Sequence, residues 1–413
     1  MESLQLQRLQ SLIELTLRSN SFYGERLRSA GMAEPPASLA DFTARAPLTR
    51  KQDLVEDQRA RPPYGSNLAF PLADYRRMHQ TSGTTAAPVR WLDTAESWSA
   101  LLDGWVRVLQ ASGVTREDRV FFPFAFGPFC GFWMAFEAAV RMGCLVLPAG
   151  GLRSGGRLQM LLDNEATAFC ATPTYAIRLG QAAREEGFDL SRSKVRTIVV
   201  AGEPGGGIPA TRALIEELWP GARVKDHHGM TEVGPVSYEC PRHIGRLHVM
   251  EADYLAEVLD PQTLEPARPG ELGELILTTL HRTASPAIRY RTRDVVRRGD
   301  GSVCECGSAE LALDGGILSR TDDMVSVRGV NLYPSAVEEV VRAAGGVEEF
   351  RVEVSGEGGL RNIALLIETA DPEAAARLEE ALHKAFGLRF AVSVGRDLPR
   401  FEAKASRWAR SAG

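Results

Sequence analysis

Four short polar segments of this chain carry side chains that could bind phosphate, ribose or a metal ion. TSGTT at 81–85 is a hydroxyl-rich run around a glycine, which can surround phosphate oxygens with N–H and hydroxyl groups. AGEPGGG at 201–207 lets the backbone approach a ligand closely. DHHGMTE at 226–232 offers an imidazole, a hydroxyl and a carboxylate, and RYRTRD at 289–294 ends in a carboxylate that can accept hydrogen bonds from ribose hydroxyls. Taken singly, each segment is also typical of a polar turn, a connector or a charged strand edge.

A separate group of residues has the composition of a zinc site. Cys304 and Cys306 lie on one tight turn, and Cys240 and His248 lie upstream. Three sulfurs and one imidazole suit a closed tetrahedral Zn²⁺ site, although the gap of one residue is shorter than the usual two to four. His243 is an alternative fourth ligand. Such a site would be structural. The remaining cysteines have apolar neighbours and are predicted to be core residues: Cys130, Cys144 and Cys170.

The composition excludes several classes of function. The chain has 413 residues, 44% of them hydrophobic, and a formal net charge of -5, so it lacks the basic excess of a protein that binds a nucleic-acid backbone. The N-terminus lacks the pattern of a signal peptide, and no uncharged run reaches transmembrane length. We therefore expect a cytoplasmic protein with no membrane partner. Its length predicts a large body with a smaller appendage.

The elements that must position these segments form an alternating pattern. After a helix at 4–17, and a buried helix followed by a core strand between 120 and 148, short apolar runs alternate with helix-like stretches. The runs are 168–172, 197–201 and 222–225, and the stretches are 174–186 and 211–218. This pattern predicts a doubly wound parallel sheet, in which ligands lie beyond the carboxyl ends of the strands. The segments at 201–207 and 226–232 begin at two of those ends.

The second half of the chain changes character twice. Residues 247–280 are strand-rich, which predicts a β subdomain at about 240–320. From residue 322 the pattern predicts a compact α+β unit, here called the lid, with a helix at 334–344, a hairpin across 356–359, a helix at 371–386 and a strand at 390–394. The predicted domains are therefore 1–321 and 322–413.

Six segments in one order resemble a known family. They are TSGTT, AGEPGG, HGMTE, AIRYRTRD, SRTDDMVSVRGVNLYPS and LPRFEAKASR, and they span residues 81–407. The chain resembles the adenylate-forming superfamily of acyl-CoA ligases, in particular its phenylacetate-CoA ligase branch. The resemblance implies a large adenylate-forming domain with doubly wound sheets and a β subdomain, followed by a mobile α+β lid. It also implies that ATP activates a carboxylic acid as acyl-AMP, from which CoA takes the acyl group as a thioester.

The resemblance assigns the nucleotide site residue by residue. The ATP phosphates would be held by Thr81, Ser82, Gly83, Thr84 and Thr85. Adenine would be lined by Gly202, Glu203 and Pro204, with His228 in the stacking position, Asp226 near the exocyclic amine, and Gly229 and Met230 alongside. Thr231 would contact the α-phosphate and Glu232 would bind Mg²⁺, while Asp294, assisted by Arg320, would hold the ribose.

Three further residues acquire roles in the lid. Asp322 resembles the hinge, and Gly329 would lie beside the pantetheine channel. Lys404 matches the lysine that reaches the acyl carboxylate and the bridging phosphate oxygen. Its charge has a physical purpose, since attack of a carboxylate on the α-phosphate brings negative charges together and a positioned ammonium stabilises that transition state.

The acyl site is expected to be aromatic. Phenylalanine is dense between 121 and 136, and in the family the stretch at 126–131 borders the acyl group. The predicted contacts are Phe126, Gly131, Phe132 and Ala201. No acid or base in this stretch would recognise a charged ring substituent, so an aryl or arylacetic acid is the predicted substrate. Some proteins similar to phenylacetate-CoA ligases also resemble this chain in the cysteine and histidine pattern of the zinc site.

The chain departs from the family at two positions. Ala86 and Ala87 stand where Gly-Lys usually continues the phosphate loop, which removes a cation near the triphosphate. His228 stands where tyrosine is commoner, which makes stacking dependent on protonation. Two alternatives therefore remain: transfer of the acyl group to a carrier-protein phosphopantetheine, or a non-catalytic binding protein that retains the fold. Lys404, Glu232 and Asp294 together count against a mere binder.

Overall fold

The computed structural model describes residues 1–81, 87–328, 330–356, 361–401 and 404–410. Its α-helices are α1 Glu2–Ser19, α2 Ser21–Ser29, α3 Leu39–Arg45, α4 Lys51–Ala60, α5 Ala95–Ala111, α6 Cys130–Arg141, α7 Ser154–Asp163, α8 Pro173–Glu186, α9 Pro209–Leu218, α10 Pro334–Ala344 and α11 Ala374–Phe386. The strands of the first half are β1 Tyr75–Gln80, β2 Arg90–Thr94, β3 Arg119–Phe122, β4 Leu145–Pro148, β5 Ala168–Ala171, β6 Thr197–Val200 and β7 Arg223–Asp226.

The strands of the second half begin with one short pair and continue through the β subdomain into the lid. They are β8 Gly229–Met230, β9 Gly234–Pro235, β10 Ser237–Glu239, β11 Arg246–Val249, β12 Tyr254–Leu259, β13 Leu272–Thr279, β14 Tyr290–Arg298, β15 Ala312–Arg320, β16 Val325–Val327, β17 Val330–Leu332, β18 Glu349–Ser355, β19 Asn362–Glu368, β20 Ala391–Val394 and β21 Trp408–Arg410.

A five-stranded parallel sheet forms the centre of the large domain, with the strand order β4-β3-β5-β6-β7. Its strands β5, β6 and β7 coincide with three predicted runs, so the doubly wound arrangement is confirmed. The strand β3 was not predicted. The strand predicted at the end of the 120–148 segment is confirmed as β4, but its predicted core position was wrong, because β4 lies at the edge of the sheet and Leu145 is 57% exposed. An apolar run alone does not reveal whether a strand has one neighbour or two.

A six-stranded antiparallel sheet, in the order β10-β11-β15-β14-β13-β12, follows the parallel sheet. Its inner face shares one hydrophobic core with α1 and α5, where Leu9, Leu101 and Trp105 pack with Leu247 and Leu277. The predicted strand-rich region thus packs on the first helix of the chain. This packing brings the start of α4 and the loop before β14 to the same side as the carboxyl ends of β6 and β7.

The lid has a core of its own. The helices α10 and α11 cover a four-stranded sheet in the order β20-β19-β18-β21, and a separate apolar cluster runs from Val325 to Phe390. The helix predicted at 334–344 is confirmed. The final strand β21 pairs in parallel with β18, with Val352 opposite Trp408. The domain boundary at 321/322 stays a prediction.

Two further expectations concern the environment of the chain. All six cysteines are free thiols. Among the helices of the described ranges, none combines the length and the apolar composition that a bilayer crossing requires. The cytoplasmic location stays a prediction.

Candidate active site

The lid places Lys404 over the loop that follows β6. Gly202 in that loop has φ of +96°, which favours glycine, and a Cβ built on it would lie 3.5 Å from Lys404 Cε, so the lysine side chain lies within van der Waals distance of this loop. Lys404 keeps some exposed surface, yet the surrounding protein desolvates its ammonium and lowers its pKa. The carboxylates of Glu203, Glu232 and Asp294 oppose that effect. The predicted catalytic lysine is therefore in the same cleft as the predicted nucleotide residues.

A chain of charged groups links the nucleotide loops to the predicted hinge. His228 Nε2 lies 2.9 Å from Asp294 Oδ2, and Arg320 donates to the other oxygen of Asp294 at 3.2 Å. Arg320 also donates to Asp322 at 3.1 Å. Burial lowers the pKa of Arg320, but the carboxylates of Asp294 and Asp322 outweigh it and hold that pKa above its usual value. Within the described part of the chain His228 Nδ1 is buried and has no hydrogen-bond partner.

The buried carboxyl of Asp226 lies under the glycine-rich loop. A Cβ on Gly206 would lie 2.2 Å from Asp226 Oδ1, so only glycine fits there, and the interpretation of a loose connector does not apply. Burial raises the pKa of Asp226 to about 7, and the charge of Glu239 adds to the effect. Glu239 accepts hydrogen bonds from Asp226 N at 2.5 Å and from Arg212 at 2.8 Å.

Glu232 is a buried carboxylate, 4% exposed, with two partners that the sequence did not reveal. Tyr290 donates its hydroxyl to Oε1 at 3.2 Å, and the Lys51 ammonium lies 3.6 Å from the same oxygen. Mg²⁺ in nucleotide sites is usually held by one or two carboxylates together with phosphates, so this carboxylate fits the predicted metal role. Lys51 belongs to no motif and reaches the site only because α4 packs beside β14.

Thr231 is positioned by an ion pair that the sequence also did not reveal. Arg282 and Asp93 are both 0% exposed and form two hydrogen bonds, at 2.8 and 2.6 Å. Arg282 also donates to the carbonyl oxygen of Thr231 at 2.7 Å. The pair therefore fixes the backbone that presents the predicted α-phosphate ligand.

The phosphate loop begins at a fixed point. Thr81 is buried, and its hydroxyl accepts a hydrogen bond from Val89 N at 3.0 Å, which holds the start of the loop against the strand that follows. The remaining loop positions predicted to hold phosphate lie outside the described residues: Ser82, Gly83, Thr84 and Thr85. The predicted channel residue Gly329 lies outside them as well.

The predicted acyl site is built from stacked aromatic rings. Phe124 and Phe132 stack at 3.9 Å between centroids, and Phe126 packs against Trp133 at 4.5 Å. A Cβ on Gly131 would meet no atom within 4 Å, so space opens at this position. Ala201 is buried at the end of β6. The surroundings of Phe126, Phe132 and Gly131 are thus apolar and partly open, as the prediction of an aryl group requires.

The four predicted zinc ligands meet in one place. The ligand atoms of Cys240, His248, Cys304 and Cys306 all lie within 4.8 Å of one another. The Cys240 and Cys304 sulfurs are 3.6 Å apart, and the Cys306 sulfur lies 3.4 Å from His248 Nε2. In a tetrahedron with Zn–S bonds of about 2.3 Å, sulfurs lie about 3.8 Å apart, so the donor set fits zinc. The alternative ligand, His243, lies outside this group, with its ring nitrogen 3.6 Å from Glu305.

Comparison with protein families agrees with this arrangement. Residues 68–281 match the family model described as AMP-binding enzyme, and residues 329–409 match the AMP-binding enzyme C-terminal domain. The chain belongs to the AMP-binding enzyme family. Among curated members, it is 31% identical to the phenylacetate-coenzyme A ligase of Thermus thermophilus, over 90% of this chain and 82% of that protein. It is 29% identical to the phenylacetate-coenzyme A ligase of Pseudomonas putida, over 88% of this chain and 81% of that protein.

Solved structures of the family distinguish two positions of the lid. The chain superposes on 2-hydroxyisobutyryl-CoA ligase in the postadenylation state, in complex with R3-HIB-AMP, with a TM-score of 0.93 and 27% identity, over 99% of this chain and 89% of that one. Against the same ligase with 2-HIB-AMP and CoA in the thioesterification state, the TM-score is 0.75 at 28% identity, with the same coverage. The lid of this AMP-binding enzyme therefore has the postadenylation arrangement.

Proposed function

We propose that this AMP-binding enzyme is an AMP-forming acid:CoA ligase for an aryl or arylacetic acid. The acid attacks the α-phosphate of ATP, giving acyl-AMP and pyrophosphate, and the CoA thiol then displaces AMP from the acyl group. The observation that carries the proposal is the presence of the lid lysine in one cleft with the carboxylates Glu232 and Asp294. The aromatic surroundings of Phe126 and Phe132 support the substrate class.

Each residue has a role in the first step that follows from its charge. Lys404 offsets the negative charge that accumulates as the acid carboxylate approaches the phosphorus. Thr231, held by Arg282, contacts the α-phosphate, and Asp294 accepts hydrogen bonds from the ribose hydroxyls. Glu232 would hold Mg²⁺, which neutralises phosphate charge when bound.

The test is acid-dependent exchange of pyrophosphate into ATP with a panel of benzoic, phenylacetic and short aliphatic acids. Exchange with the aromatic acids, followed by thioester formation with CoA, is expected. Activity only with aliphatic acids would overturn the substrate class. Exchange without CoA acylation would favour a carrier-protein acceptor, and no exchange by folded protein would favour the non-catalytic binder.

We propose in addition that Cys240, His248, Cys304 and Cys306 bind a structural Zn²⁺. All four residues lie in the β subdomain, so the ion would join β10 and β11 to the loop before β15. No position is left open for a substrate if all four ligate, so the role is stability. Metal analysis of the purified protein is expected to give about one zinc per chain. Cys304→Ser is expected to lower both the zinc content and Tm, and unmutated protein without zinc would refute the site.

A further inference from the structure

The carboxylate of Glu203 connects the two domains at the position of the catalytic lysine. One oxygen accepts a hydrogen bond from Thr174 N, at the start of α8 in the large domain, at 2.9 Å. The other accepts from Ala405 N, in the lid, also at 2.9 Å. Ala405 directly follows Lys404. We call this arrangement the Glu203 bridge: the Thr174 N–H, the Glu203 carboxylate and the Ala405 N–H.

Both partners of the carboxylate are backbone donors, and each donates to a different oxygen, so the arrangement uses both acceptor oxygens of the carboxylate. Burial raises the pKa of Glu203, whereas the hydrogen bonds from Thr174 and Ala405 lower it. The charge of Glu203 also acts on the Lys404 ammonium and raises its pKa. A single side chain therefore contacts the backbone beside Lys404 and favours its protonated form.

The other end of the Lys404 segment is fixed within the lid. Arg407 donates two hydrogen bonds to Glu349 of β18, at 2.6 and 3.2 Å, and β21 begins at the next residue. Arg407 also lies 3.4 Å from the hydroxyl of Thr174. Lys404 thus sits immediately before a segment whose backbone is attached to the large domain at Ala405 and to the lid sheet from Arg407 onward.

We infer that Glu203 is a positioning residue for adenylation, because its carboxylate attaches the backbone beside Lys404 to the start of α8. The inference rests on the proposed function. It gives the glutamate of the AGEPGGG segment a role beyond lining adenine. When the lid turns to the thioester-forming position, the Ala405 N–H must leave the carboxylate, while the contact with Thr174 lies wholly within the large domain. The link between Glu203 and Ala405 therefore acts in the first half-reaction and not in the second.

The test compares the two half-reactions in Glu203→Gln. An amide has one acceptor oxygen, so glutamine satisfies one of the two donors and turns its NH₂ toward the other. Phenylacetic acid is used for pyrophosphate exchange, and synthetic phenylacetyl-AMP with CoA is used for the second step. We expect kcat for pyrophosphate exchange to fall at least about tenfold, because one charge-assisted hydrogen bond is lost. The rate of acyl transfer from phenylacetyl-AMP to CoA should be unchanged or higher.

The matched control is Glu339→Gln. Glu339 of α10 accepts a hydrogen bond from Ala210 N across the same domain interface, at 3.0 Å, and it is not among the charged groups that most affect the Lys404 ammonium. Glutamine can satisfy that single donor, so both half-reactions are expected to keep their rates. If Glu203→Gln fails to fold, Ala405→Pro is the alternative variant, because it removes the N–H donor of the lid and leaves Glu203 and α8 intact. It is expected to lower the rate of pyrophosphate exchange without lowering the rate of acyl transfer to CoA.

Hydrogen exchange gives a readout that does not depend on activity. The Ala405 amide is expected to exchange slowly in the unliganded protein and faster in Glu203→Gln, with no such change in Glu339→Gln. The inference would be overturned if Glu203→Gln lowered the rates of both half-reactions equally, or if it left the hydrogen-exchange rate of the Ala405 amide unchanged. If the unmutated protein adenylates none of the acids, the proposed function fails. The Glu203 bridge is still supported in that case if hydrogen exchange at the Ala405 amide is slow in the unmutated protein and fast in Glu203→Gln.

Discussion

At the scale of single residues, the cleft contains two lysines with different expected roles. Lys404 belongs to the lid, and the proposed turn of the lid would carry it out of the cleft, whereas Lys51 begins α4 in the large domain and contacts Glu232. A cation that belongs to the lid can act in one half-reaction alone. A cation that belongs to the large domain remains beside the nucleotide throughout.

Lys404→Ala is expected to lower the adenylation rate by about 10²- to 10³-fold, the usual cost of removing one group that stabilises transition-state charge. Transfer from preformed acyl-AMP to CoA should persist, because the lid has then carried the lysine away. Pyrophosphate release and CoA acylation, measured separately, check this expectation. Parallel loss of both steps would show that Lys404 is needed for structure instead.

Lys51→Gln is expected to raise the KM for ATP. The phosphate loop has Ala87 where the family resemblance predicts a lysine, and the ammonium of Lys51 is the cation that the described part of the large domain places beside Glu232. Loss of one charge-assisted contact, worth about 1.5–3 kcal/mol, corresponds to a rise of roughly ten- to a hundredfold. Steady-state kinetics with varied ATP measure it, and the exposed Lys194→Gln is the control. An unchanged KM would remove Lys51 from the phosphate site.

At the scale of elements, periodicity predicted most of the fold. The strands β5, β6 and β7 and the helix α10 lie where their apolar patterns placed them, because each has one clear period and is bounded by turn residues. Edge position was not predictable, since β4 has the same apolar composition as a central strand. Whether a strand lies at the edge or in the centre is decided by the strand order of the whole sheet.

The site was predictable only where a motif carried it. Asp294 contacts both His228 and Arg320, and Arg320 is its register partner across β14 and β15. Their roles in binding the nucleotide stay predictions. The Asp93–Arg282 pair and the bridge at Glu203 could not be predicted, because their partners are far apart in sequence and nothing local distinguishes them from surface charges.

The buried ion pair Asp93–Arg282 joins β2 to the loop before β14, and we expect it to stabilise both. Arg282→Met would leave Asp93 buried without its partner, which is expected to lower the free energy of unfolding by about 3–5 kcal/mol. The exposed pair Arg223–Glu216 provides a control, where Arg223→Met should cost less than about 1 kcal/mol. Urea denaturation measures both. Comparable losses in the two variants would show that burial of the pair does not determine its contribution.

At the scale of the whole molecule, buried titratable groups set how stability depends on pH. Burial lowers the pKa of His79 to about 4 and that of His227 to about 3. In the unfolded chain both histidines take up protons below about pH 6.5, so their burial makes the fold less stable as pH falls. Asp226, with its pKa raised to about 7, acts in the opposite sense, and its stabilising effect is lost as pH rises from about 4 to 7.

Because the fold holds His79 neutral while the unfolded chain protonates it, His79 is expected to contribute a decrease in the free energy of unfolding as pH falls from about 6.5 to 5. His79→Gln should flatten this dependence by up to about 1.4 kcal/mol per pH unit, the contribution of one proton. Urea titrations at several pH values provide the measurement. A slope that His79→Gln leaves unchanged would show that this residue is not held neutral by the fold.

The pairing of β21 with β18 has a consequence for shortened forms of the protein. A chain cut after Arg407 would still contain Lys404 but would leave the outer edge of β18 uncovered. An uncovered strand edge recruits strands from other molecules, so such a form is expected to aggregate. Pairing with β21 therefore shields β18 from strands of other molecules.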